Sequence, residues 1–381
     1  MKILYIIPRF YPFKGGAEEN FLNLAKRVAK DPNNQVFVIT SKIKFKNEIL
    51  TSTEIYEGIK IIRLWQPGTA LYLGFYPYLL IYLICNKFDV IHTSGIGFFW
   101  REFCLIIYKI LRPKTKIINT PHGPFISANT KSVFRRIAKK IGDKVLSIYL
   151  NYLYNIFIAV NPKQHNWMNS LYKIDKQKVH IIFNGIEQEY IENEIVKHNI
   201  TDDICITFVG RIEWYKGIQN VLMALSDTNL INKKWKFIII GRPDNYYGNI
   251  KELTQNLKLE KKVEFVLSPT DKERDYILKY KSQIFILPSK WEAFGISLVE
   301  AMAKGNVIIT TYQNESYDIL IKEGITGFVY NFDDIKELTS ILVKLLEDYE
   351  IRTQIRNYNI FYAKNFTWEN SFSKYLSLLN S

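Results

Sequence analysis

The sequence predicts an α/β protein built from two doubly wound domains. Short apolar runs such as Ile284–Leu287 alternate with helical segments through both halves of the chain, which is typical of parallel strands joined by crossover helices. Most of these runs end in Pro, Gly or Asn turns, where such sheets bind ligands. A length of 381 residues suffices for two domains, each with its own core.

The N-terminal half begins with a strand at Lys2–Ile7, a turn that contains Gly15 and Gly16, and a helix from Glu19 to Ala29. Further strands are predicted at Gln35–Thr40, Ile59–Leu64, Asp89–His92, Lys116–Thr120, Ile156–Val160 and Val179–Phe183. Further helices are predicted at Tyr78–Lys87, Phe98–Leu111 and Lys131–Tyr149.

The C-terminal half repeats this alternation. Strands are predicted at Ile204–Val209, Lys236–Ile240, Val263–Val266, Gln283–Leu287, Val307–Thr310 and from Gly327. Helices are predicted from Ile218, from Ile296 and from Asp333. We therefore expect an N-terminal domain at residues 1–187, a polar linker at 188–203 and a C-terminal domain at 204–365. A helix at 366–381 is expected to return toward the N-terminal domain.

The stretch Pro288–Gly305 joins a strand to a helix and carries two carboxylates. Glu292 lies in the loop, and Glu300 lies one turn into the helix. Between them, the backbone amides of residues 294–296 (Phe294, Gly295, Ile296) open the helix, a natural position for an anion. A carboxylate pair beside an anion site suits a ligand that is both polyhydroxylated and phosphorylated, such as a sugar nucleotide. Two glutamates on a solvated helix are the alternative interpretation.

Three other turns carry groups that suit the same ligand. Arg211 and Lys216 follow the first strand of the C-terminal half and can neutralise a diphosphate. Gly15 and Gly16 precede a helix, where a backbone can approach an anion, although a flexible turn fits equally well. His122 sits in a Pro/Gly turn at the end of a strand, where a histidine bonded to nearby backbone is the alternative.

The basic charge is confined to the first half of the chain. Residues 1–178 contain 27 Lys and Arg against 10 Asp and Glu, and the remainder contains 24 against 27. A one-sided positive field favours an anionic partner surface. The predicted helix at 131–149 has an apolar face (Phe134, Ile137, Ile141, Val145) and a basic face that includes Arg135, Arg136, Lys139 and Lys140. Such a helix is typical of a membrane surface, and equally of a core-packed helix with a solvated face.

Several classes of protein are disfavoured by the composition. Three widely spaced cysteines (Cys85, Cys104, Cys205) indicate a reducing compartment and no metal site. The apolar stretch Ala70–Cys85 is shorter than a membrane-spanning helix, and the apolar start is too short for a signal peptide. The Gly-x-Gly-x-x-Gly fingerprint of dinucleotide-binding enzymes is absent, and so is any nucleic-acid-binding module that we recognise.

Taken together, five motifs resemble those of a family 4 glycosyltransferase of the GT-B fold, a group of retaining enzymes that use nucleotide-activated sugars. They are Gly15-Gly16-Ala17-Glu18, Pro121-His122-Gly123, Asn184-Gly185-Ile186, Gly210-Arg211 with Lys216-Gly217, and Glu292-Ala293-Phe294-Gly295 with Glu300-Ala301. The resemblance covers nearly the whole chain, in order and at fitting spacing. It implies two Rossmann-like domains that face each other across a cleft.

The resemblance also implies a role for each motif. Arg211 and Lys216 are expected to hold the donor diphosphate, Glu292 to lie beside the donor sugar, and Glu300 to bind the ribose hydroxyls. The backbone at Phe294, Gly295 and Ile296 is expected to contact sugar hydroxyls and phosphate. The Gly15–Gly16 turn would close over the phosphates, His122 would line the pocket near the reacting sugar, and the loop at Gly241 would lie near the base.

The implied activity is transfer of a hexose with retention of configuration, from a UDP-hexose or GDP-mannose to a lipid-linked or polysaccharide acceptor. No cofactor or metal is expected, because cations and helix N-termini can stabilise the leaving diphosphate and the sequence lacks an Asp-x-Asp motif. The expected location is the cytoplasmic face of the cell membrane, with peripheral contact. An epimerase that acts on sugar nucleotides is an alternative, and so is a non-enzymatic protein that binds anionic lipid or nucleic acid.

Two positions depart from the family pattern. A Gly-Gly-x-x-Glu element is replaced by residues 312–318 (Tyr-Gln-Asn-Glu-Ser-Tyr-Asp), which puts the contacts of that glycine loop in doubt. The proline of the family's Gly-x-Pro-Val segment is missing at Gly305-Asn306-Val307, where Val307 stands in its place. Neither change removes an expected diphosphate or sugar ligand.

Overall fold

The computed structural model describes residues 1–43, 49–66, 76–123, 133–196 and 203–380, without the side chains of 133–138. The chain forms two compact units. Unit 1 comprises Met1–Phe183 and Ser371–Ser381, and unit 2 comprises Asn184–Asn370. Residues 188–196, which the sequence assigns to a linker, are therefore part of unit 2, and residues 197–202 lie outside the described part of the chain.

Unit 1 contains a sheet of eight described strands, in the spatial order β3-β4-β2-β1-β5-β6-β7-β8. The strands are β1 (Lys2–Ile6), β2 (Gln35–Ser41), β3 (Thr53–Tyr56), β4 (Ile59–Leu64), β5 (Val90–Ser94), β6 (Lys116–Thr120), β7 (Ile156–Ala159) and β8 (Val179–Ile181). All pairs are parallel except β3 with β4. The short antiparallel edge strand β3 was not predicted, because its half-exposed residues show no continuous apolar run.

Helices cover both faces of this sheet. They are α1 (Gly16–Ala29), α2 (Leu79–Cys85), α3 (Phe99–Leu111), α4 (Val133–Leu153), α5 (Pro162–Tyr172) and the C-terminal α13 (Trp368–Asn380), which joins unit 1 from Ser371 onward. Alternate residues of the strands enter two cores. Leu4 and Ile6 pack with α2, α3 and α4, whereas Ile3 and Tyr5 pack with α1 and the end of α13.

Two of the four residues of the apolar face that the sequence suggested for α4, Ile141 and Val145, are exposed. Among the residues of α4 whose burial is described, Gly142, Leu146, Leu150 and Leu153 are buried, whereas Ile141 and Val145 are 61% and 41% exposed. Of the cations named on its basic face, Lys139 forms an ion pair of 2.9 Å with Asp143, and Lys140 is exposed. The side chains of Arg135 and Arg136, like those of Phe134 and Ile137, lie outside the described part of the structure.

Unit 2 contains a fully parallel sheet of six strands, in the order β11-β10-β9-β12-β13-β14. The strands are β9 (Ile204–Val209), β10 (Trp235–Gly241), β11 (Val263–Leu267), β12 (Ser282–Leu287), β13 (Val307–Thr311) and β14 (Gly327–Tyr330). The helices are α6 (Ile218–Leu225), α7 (Tyr247–Asn256), α8 (Asp271–Tyr276), α9 (Ile296–Ala303), α10 (Tyr317–Leu320), α11 (Ile335–Glu347) and α12 (Tyr349–Ala363). The order reverses between β9 and β12, and such a reversal opens a crevice at the carboxyl ends of the strands.

The start of unit 2 runs beside its end. The amide of Ile186 donates to Phe366 O, and the amide of Trp368 donates to Ile186 O, both at 3.0 Å. Gly185 lies so close to the Thr367 backbone that a Cβ at this position would overlap it. The backbone therefore explains why a glycine stands in the Asn184-Gly185-Ile186 motif.

None of the described helices is long and apolar enough to cross a bilayer.

Candidate active site

The loops that follow β9 and β12 meet at the reversal point of the unit 2 sheet. Gly217, with φ of +74°, ends the first loop and precedes α6. A Cβ on Gly217 would overlap the carbonyl oxygen of Pro288 in the second loop. Only glycine combines this left-handed backbone with so close an approach, so the two loops are held together at their backbones.

An ion pair between Lys216 and Glu292 bridges these two loops. The distance from Lys216 Nζ to Glu292 Oε2 is 2.5 Å, and the side chains are 12% and 21% exposed. The pair is therefore partly shielded from water, where a charge–charge contact is stronger than at an exposed surface. The structure thus brings together the lysine and the first glutamate of the two most specific motifs.

Tyr215 lies between the two cations of the first loop. Its hydroxyl lies 2.5 Å from Arg211 Nη2, and its ring centroid lies 5.8 Å from the Arg211 guanidinium carbon and 5.3 Å from Lys216 Nζ. The backbone amide of Lys290 donates to Tyr215 O at 2.7 Å. Tyr215 therefore orients Arg211 and anchors the loop, a role that the sequence analysis missed.

A second acidic pair borders the same loop. Burial raises the pKa of Glu213, and the neighbouring Asp244 raises it further by charge repulsion and by a hydrogen bond. Asp244 lies in the loop after β10, where Arg242 Nη2 is 3.7 Å from its carboxylate. These carboxylates were not singled out from the sequence, because they are 31 residues apart in the chain.

The segment that replaces the family's glycine loop holds the backbone of Glu292. The amide of Glu315 donates to Glu292 O at 2.8 Å, and Glu292 pairs with the fully buried Asn314 in a parallel bridge. The hydroxyl of Ser316 donates to Ala293 O at 2.8 Å. Residues 314–316 therefore support the Glu292 loop through ordinary side chains and amides, without the glycines of the family pattern.

The second departure lies at the start of β13, directly after Asn306. Asn306 is buried, and its Nδ2 donates to Leu278 O at 2.9 Å and to Ala301 O at 3.1 Å. It thus links the C-terminal end of α9 to the residues before β12. Val307, which stands where the family pattern has proline, is the first residue of β13 and is fully buried.

Gly295 opens helix α9 with a left-handed φ of +78°. The side chain of Phe294 is buried, with its ring 6.2 Å from that of Phe366, so this side chain is not exposed to a ligand. Ile296 is the first helical residue and is partly exposed. The two glutamates flank this helix start, as the sequence suggested.

Glu300 lies in a different ion-pair network from Glu292. Its Oε1 is 3.4 Å from Nη2 of Arg274, and the same nitrogen is 3.0 Å from Asp275 Oδ1. The hydroxyl of Tyr190 donates to Asp275 Oδ1 at 2.8 Å. Arg274 therefore positions the Glu300 carboxylate, and the sequence analysis did not identify it, because α8 carries no motif of the family.

The last residue of β10, Gly241, has a clear structural role. A Cβ at this position would overlap the carbonyl oxygen of Gly210, so the loops after β9 and β10 touch at their backbones. This contact explains the glycine without a ligand. The expectation that Gly241 lies near the base of a nucleotide stays a prediction.

His122 in unit 1 is held in an unusual conformation. It follows β6 with a φ of +57°, and its ring lies 5.8 Å from that of Phe21. Burial lowers the pKa of His122 to about 4, so the ring is neutral at physiological pH. Its buried Nε2 has no hydrogen-bond partner among the described residues, which marks it as a group that a ligand can satisfy.

A second histidine, His92 on β5, lies in the core beside this site. Its Nδ1 is 2.9 Å from the Tyr375 hydroxyl, and its Nε2 is 2.8 Å from Thr120 Oγ1. Burial, with a smaller contribution from His122, lowers the pKa of His92 to about 3. Both ring nitrogens of His92 form hydrogen bonds within the protein. His92 therefore supports the site and does not itself contact a bound ligand.

The Gly15–Gly16 turn leads directly into α1. Gly15 precedes the helix in an extended conformation, and Gly16 is its first residue. A Cβ on Gly16 would have no heavy atom within 4 Å, so the backbone is open there. Open backbone at a helix N-terminus is what an approaching anion requires.

The predicted site residues are thus found in two sets. Unit 2 brings together Arg211, Lys216, Glu292 and the start of α9, with Glu300 in a neighbouring network, and unit 1 carries His122 and Gly15–Gly16. Within the residues that the structure describes, no group of three or more His, Cys, Asp or Glu could hold a metal ion. The expectations of metal independence and of no cofactor stay predictions.

Two family models match the chain in succession. The model "Glycosyltransferase Family 4" matches residues 14–190, and the model "Glycosyl transferases group 1" matches residues 190–360. Together they cover both units and every motif on which the resemblance was based.

Curated relatives are similar over long stretches. The GDP-mannose:cellobiosyl-diphosphopolyprenol alpha-mannosyltransferase of Xanthomonas oryzae is 23% identical over 383 residues, which are 99% of this chain and 96% of that protein. The UDP-Gal:alpha-D-GlcNAc-diphosphoundecaprenol alpha-1,3-galactosyltransferase of Escherichia coli is 26% identical over 287 residues, 71% of this chain and 70% of its own length.

A solved structure confirms the predicted fold. Anabaena HepE, crystallised with UDP, superposes with a TM-score of 0.76 at 15% identity, over 100% of both chains. Both the GT-B fold class and the predicted enzyme class are confirmed. The chain is a glycosyltransferase of the GT-B fold, and it belongs to glycosyltransferase family 4.

Proposed function

We propose that this protein is a retaining, metal-independent hexosyltransferase that uses a nucleotide sugar and a lipid-linked or polysaccharide acceptor at the cytoplasmic face of the cell membrane. The observation that carries the proposal is the Lys216–Glu292 ion pair at the reversal point of the unit 2 sheet, with Arg211 on the same loop. Cations at this point suit a diphosphate, and a carboxylate beside them suits sugar hydroxyls.

In the proposed reaction, the acceptor hydroxyl oxygen forms a bond to the anomeric carbon of the donor sugar. The bond from that carbon to the nucleoside diphosphate breaks, and the electron pair leaves with the diphosphate. The hydroxyl proton passes to the departing diphosphate oxygen. Lys216 and Arg211 stabilise the charge that develops there, and they supply the role that a metal has in other enzymes.

The remaining residues take roles that agree with their surroundings. Glu292 faces the donor sugar, and Glu300 accepts hydrogen bonds from the ribose hydroxyls while Arg274 holds its carboxylate. The open backbone at Gly16 approaches the phosphates. His122 is neutral and has an unused buried nitrogen, which suits a hydrogen bond to an uncharged sugar hydroxyl. Retention follows the front-face route of the family.

The donor and the acceptor are proposed from the relatives. Their names specify GDP-mannose and UDP-galactose as donors, and sugars on a diphosphopolyprenol or diphosphoundecaprenol as acceptors. We take the donor to be a UDP-hexose or GDP-mannose. A lipid-linked acceptor places the enzyme at a membrane surface. The positive charge of residues 1–178, which include Arg135, Arg136, Lys139 and Lys140, favours a membrane with anionic lipids.

The proposal is tested in two steps with the full-length protein. Thermal unfolding is first measured with a panel of UDP-, GDP-, ADP- and dTDP-sugars, because a bound donor raises the melting temperature by mass action. The stabilising donor is then incubated with a polyprenyl-diphosphate-linked sugar, and the product is analysed by mass spectrometry and NMR. The expected product contains one additional hexose, with the anomeric configuration of the donor.

Other outcomes are equally informative. An isomerised donor sugar without transfer would identify an epimerase, and an inverted anomeric linkage would contradict retention. Full activity after treatment with EDTA is expected, and loss of activity that is restored by Mg²⁺ or Mn²⁺ would contradict metal independence. Stabilisation by none of the nucleotide sugars would remove the basis of the proposal.

A further inference from the structure

Helix α4 exposes a continuous apolar stripe. Ile141, Val145, Ile148 and Tyr152 follow one another at intervals of four, three and four residues, so they lie on one face of the helix. Their exposed fractions are 61%, 41%, 75% and 58%. Because Leu146, Leu150 and Leu153 are fully buried, α4 is apolar both toward the core and on this second face.

A second exposed stripe lies on the neighbouring helix α3. Phe103 and Ile110 are 50% and 64% exposed, and they are seven residues apart on one face. Lys109 joins the two helices: its Nζ donates to Tyr152 O at 2.7 Å and lies 5.5 Å from the Tyr152 ring centroid. The α3–α4 apolar face is therefore defined by Phe103, Ile110, Ile141, Val145, Ile148 and Tyr152.

The charge around this face is positive. Lys140 and Lys144 are exposed on α4 next to the stripe, and Lys114 is exposed just beyond the end of α3. The two helices contain only two acidic residues. Glu102 is buried, and Asp143 is paired with Lys139 at 2.9 Å. No acidic group of α3 or α4 therefore opposes an anionic partner among the described side chains.

We propose that the α3–α4 apolar face docks on the surface of an anionic lipid bilayer. Its apolar side chains enter the boundary between headgroups and acyl chains, while Lys140 and Lys144 contact the anionic headgroups. Large exposed apolar patches on soluble domains mark interaction sites. A second copy of the chain is the less favoured occupant, because it would bring two basic faces together.

This proposal rests on the proposed function, because docking on a bilayer brings the enzyme to a lipid-linked acceptor. It goes beyond a general attraction of basic residues to the membrane. A contact made by charge alone is lost at high salt, whereas burial of apolar side chains persists when charges are screened.

The test uses flotation of the full-length protein with vesicles of phosphatidylglycerol and phosphatidylcholine, and with vesicles of phosphatidylcholine alone. The variant Ile141→Gln/Ile148→Gln is compared with Ile55→Gln/Ile325→Gln. The control residues are 77% and 50% exposed on β3 and before β14, away from the face. We expect the first variant to lose about tenfold in binding to anionic vesicles, at both low and high salt, and the control to bind as wild type.

Melting temperatures and transfer assays distinguish a failure of the docking proposal from a failure of the proposed function. All variants should keep the wild-type melting temperature, because the substituted side chains are exposed. Transfer to a short-chain, water-soluble acceptor should be unchanged in Ile141→Gln/Ile148→Gln, while transfer to an acceptor embedded in vesicles should fall. If vesicle binding is equal in both variants, or if the wild type fails to bind and instead dimerises through this face, the docking proposal is wrong. Absence of transfer to either acceptor, with vesicle binding retained, would instead contradict the proposed function.

Discussion

Unit 2 and unit 1 hold the ionisable groups at and beside their candidate ligand sites in opposite electrostatic states. In unit 2, Lys216 and Glu292 form an ion pair of 2.5 Å, and Arg274 holds Glu300 at 3.4 Å. In unit 1, burial lowers the pKa of His92 to about 3 and that of His122 to about 4, so both rings are neutral. The comparison separates the two units by charge: unit 2 carries charged groups held in ion pairs, and unit 1 carries buried neutral histidine rings, of which His122 has a ring nitrogen with no hydrogen-bond partner among the described residues.

The largest expected effect comes from removal of the charge on Lys216. We expect Lys216→Ala to lower the transfer rate by about 10²- to 10³-fold, as is typical when one group that stabilises transition-state charge is lost. The matched control is Lys233→Ala, which removes another lysine of unit 2 in an ion pair of 2.6 Å with Glu347. A transfer rate of Lys216→Ala close to that of wild type, with an unchanged melting temperature, would refute the proposal that Lys216 stabilises the charge of the leaving diphosphate.

Because the buried histidine rings of unit 1 are neutral, the free energy of unfolding is expected to depend on pH. The folded-state pKa of His92 is about 3, below the usual value near 6.5, so the unfolded chain binds this proton more tightly. The free energy of unfolding is therefore highest above about pH 6.5 and falls as the pH is lowered toward the folded-state pKa. We expect the slope of this fall to be smaller in His92→Gln by about 1.4 kcal/mol per pH unit.

This prediction is checked by denaturant unfolding of wild type and His92→Gln at several pH values between about 4 and 6. NMR of the folded wild type should show that the His92 ring stays neutral across this range. If the unfolding free energies of wild type and His92→Gln change in parallel with pH, or if the His92 ring titrates near its usual pKa, the contrast between charged groups in unit 2 and neutral histidines in unit 1 is wrong.

A smaller effect is expected at Arg274, which positions Glu300. Arg274→Met should raise the KM for the donor about tenfold with little change in kcat, because the proposed contacts of Glu300 to the ribose belong to both the ground and transition states. Lys279→Met is the control, since it removes a cation of unit 2 that pairs with Glu192 at 2.8 Å. An equal change in KM for both variants would assign the effect to overall charge and not to Glu300.

Much of the fold was predictable because parallel strands buried on both faces give continuous apolar runs. Val307–Thr310 and Gln283–Leu287 were identified in this way, and β13 and β12 end within one residue of them. Strand β3 escaped this pattern, because two of its four residues are exposed and the other two are half-buried. The outward apolar stripe of α4 could not be distinguished from a core face, because periodicity alone does not show which side of a helix is covered.

The candidate active site was also only partly predictable from the sequence. Motifs identified Lys216 and Glu292, which are 76 residues apart, and the structure brings their charged atoms together. Motifs could not identify Arg274, Tyr215 or the support of Glu292 by residues 314–316. Those contacts depend on which loops the sheet order makes neighbours, and local sequence does not encode that order.

The central claim is that unit 2 binds the donor diphosphate through Lys216 and Arg211. The most direct measurement is isothermal titration calorimetry of UDP and GDP with wild type, Lys216→Ala, Arg211→Ala and Lys233→Ala. We predict that wild type binds one of the nucleotides, that the first two variants bind it at least about tenfold more weakly, and that Lys233→Ala binds as wild type. Equal affinity in all four proteins, or no binding by wild type, would contradict the claim.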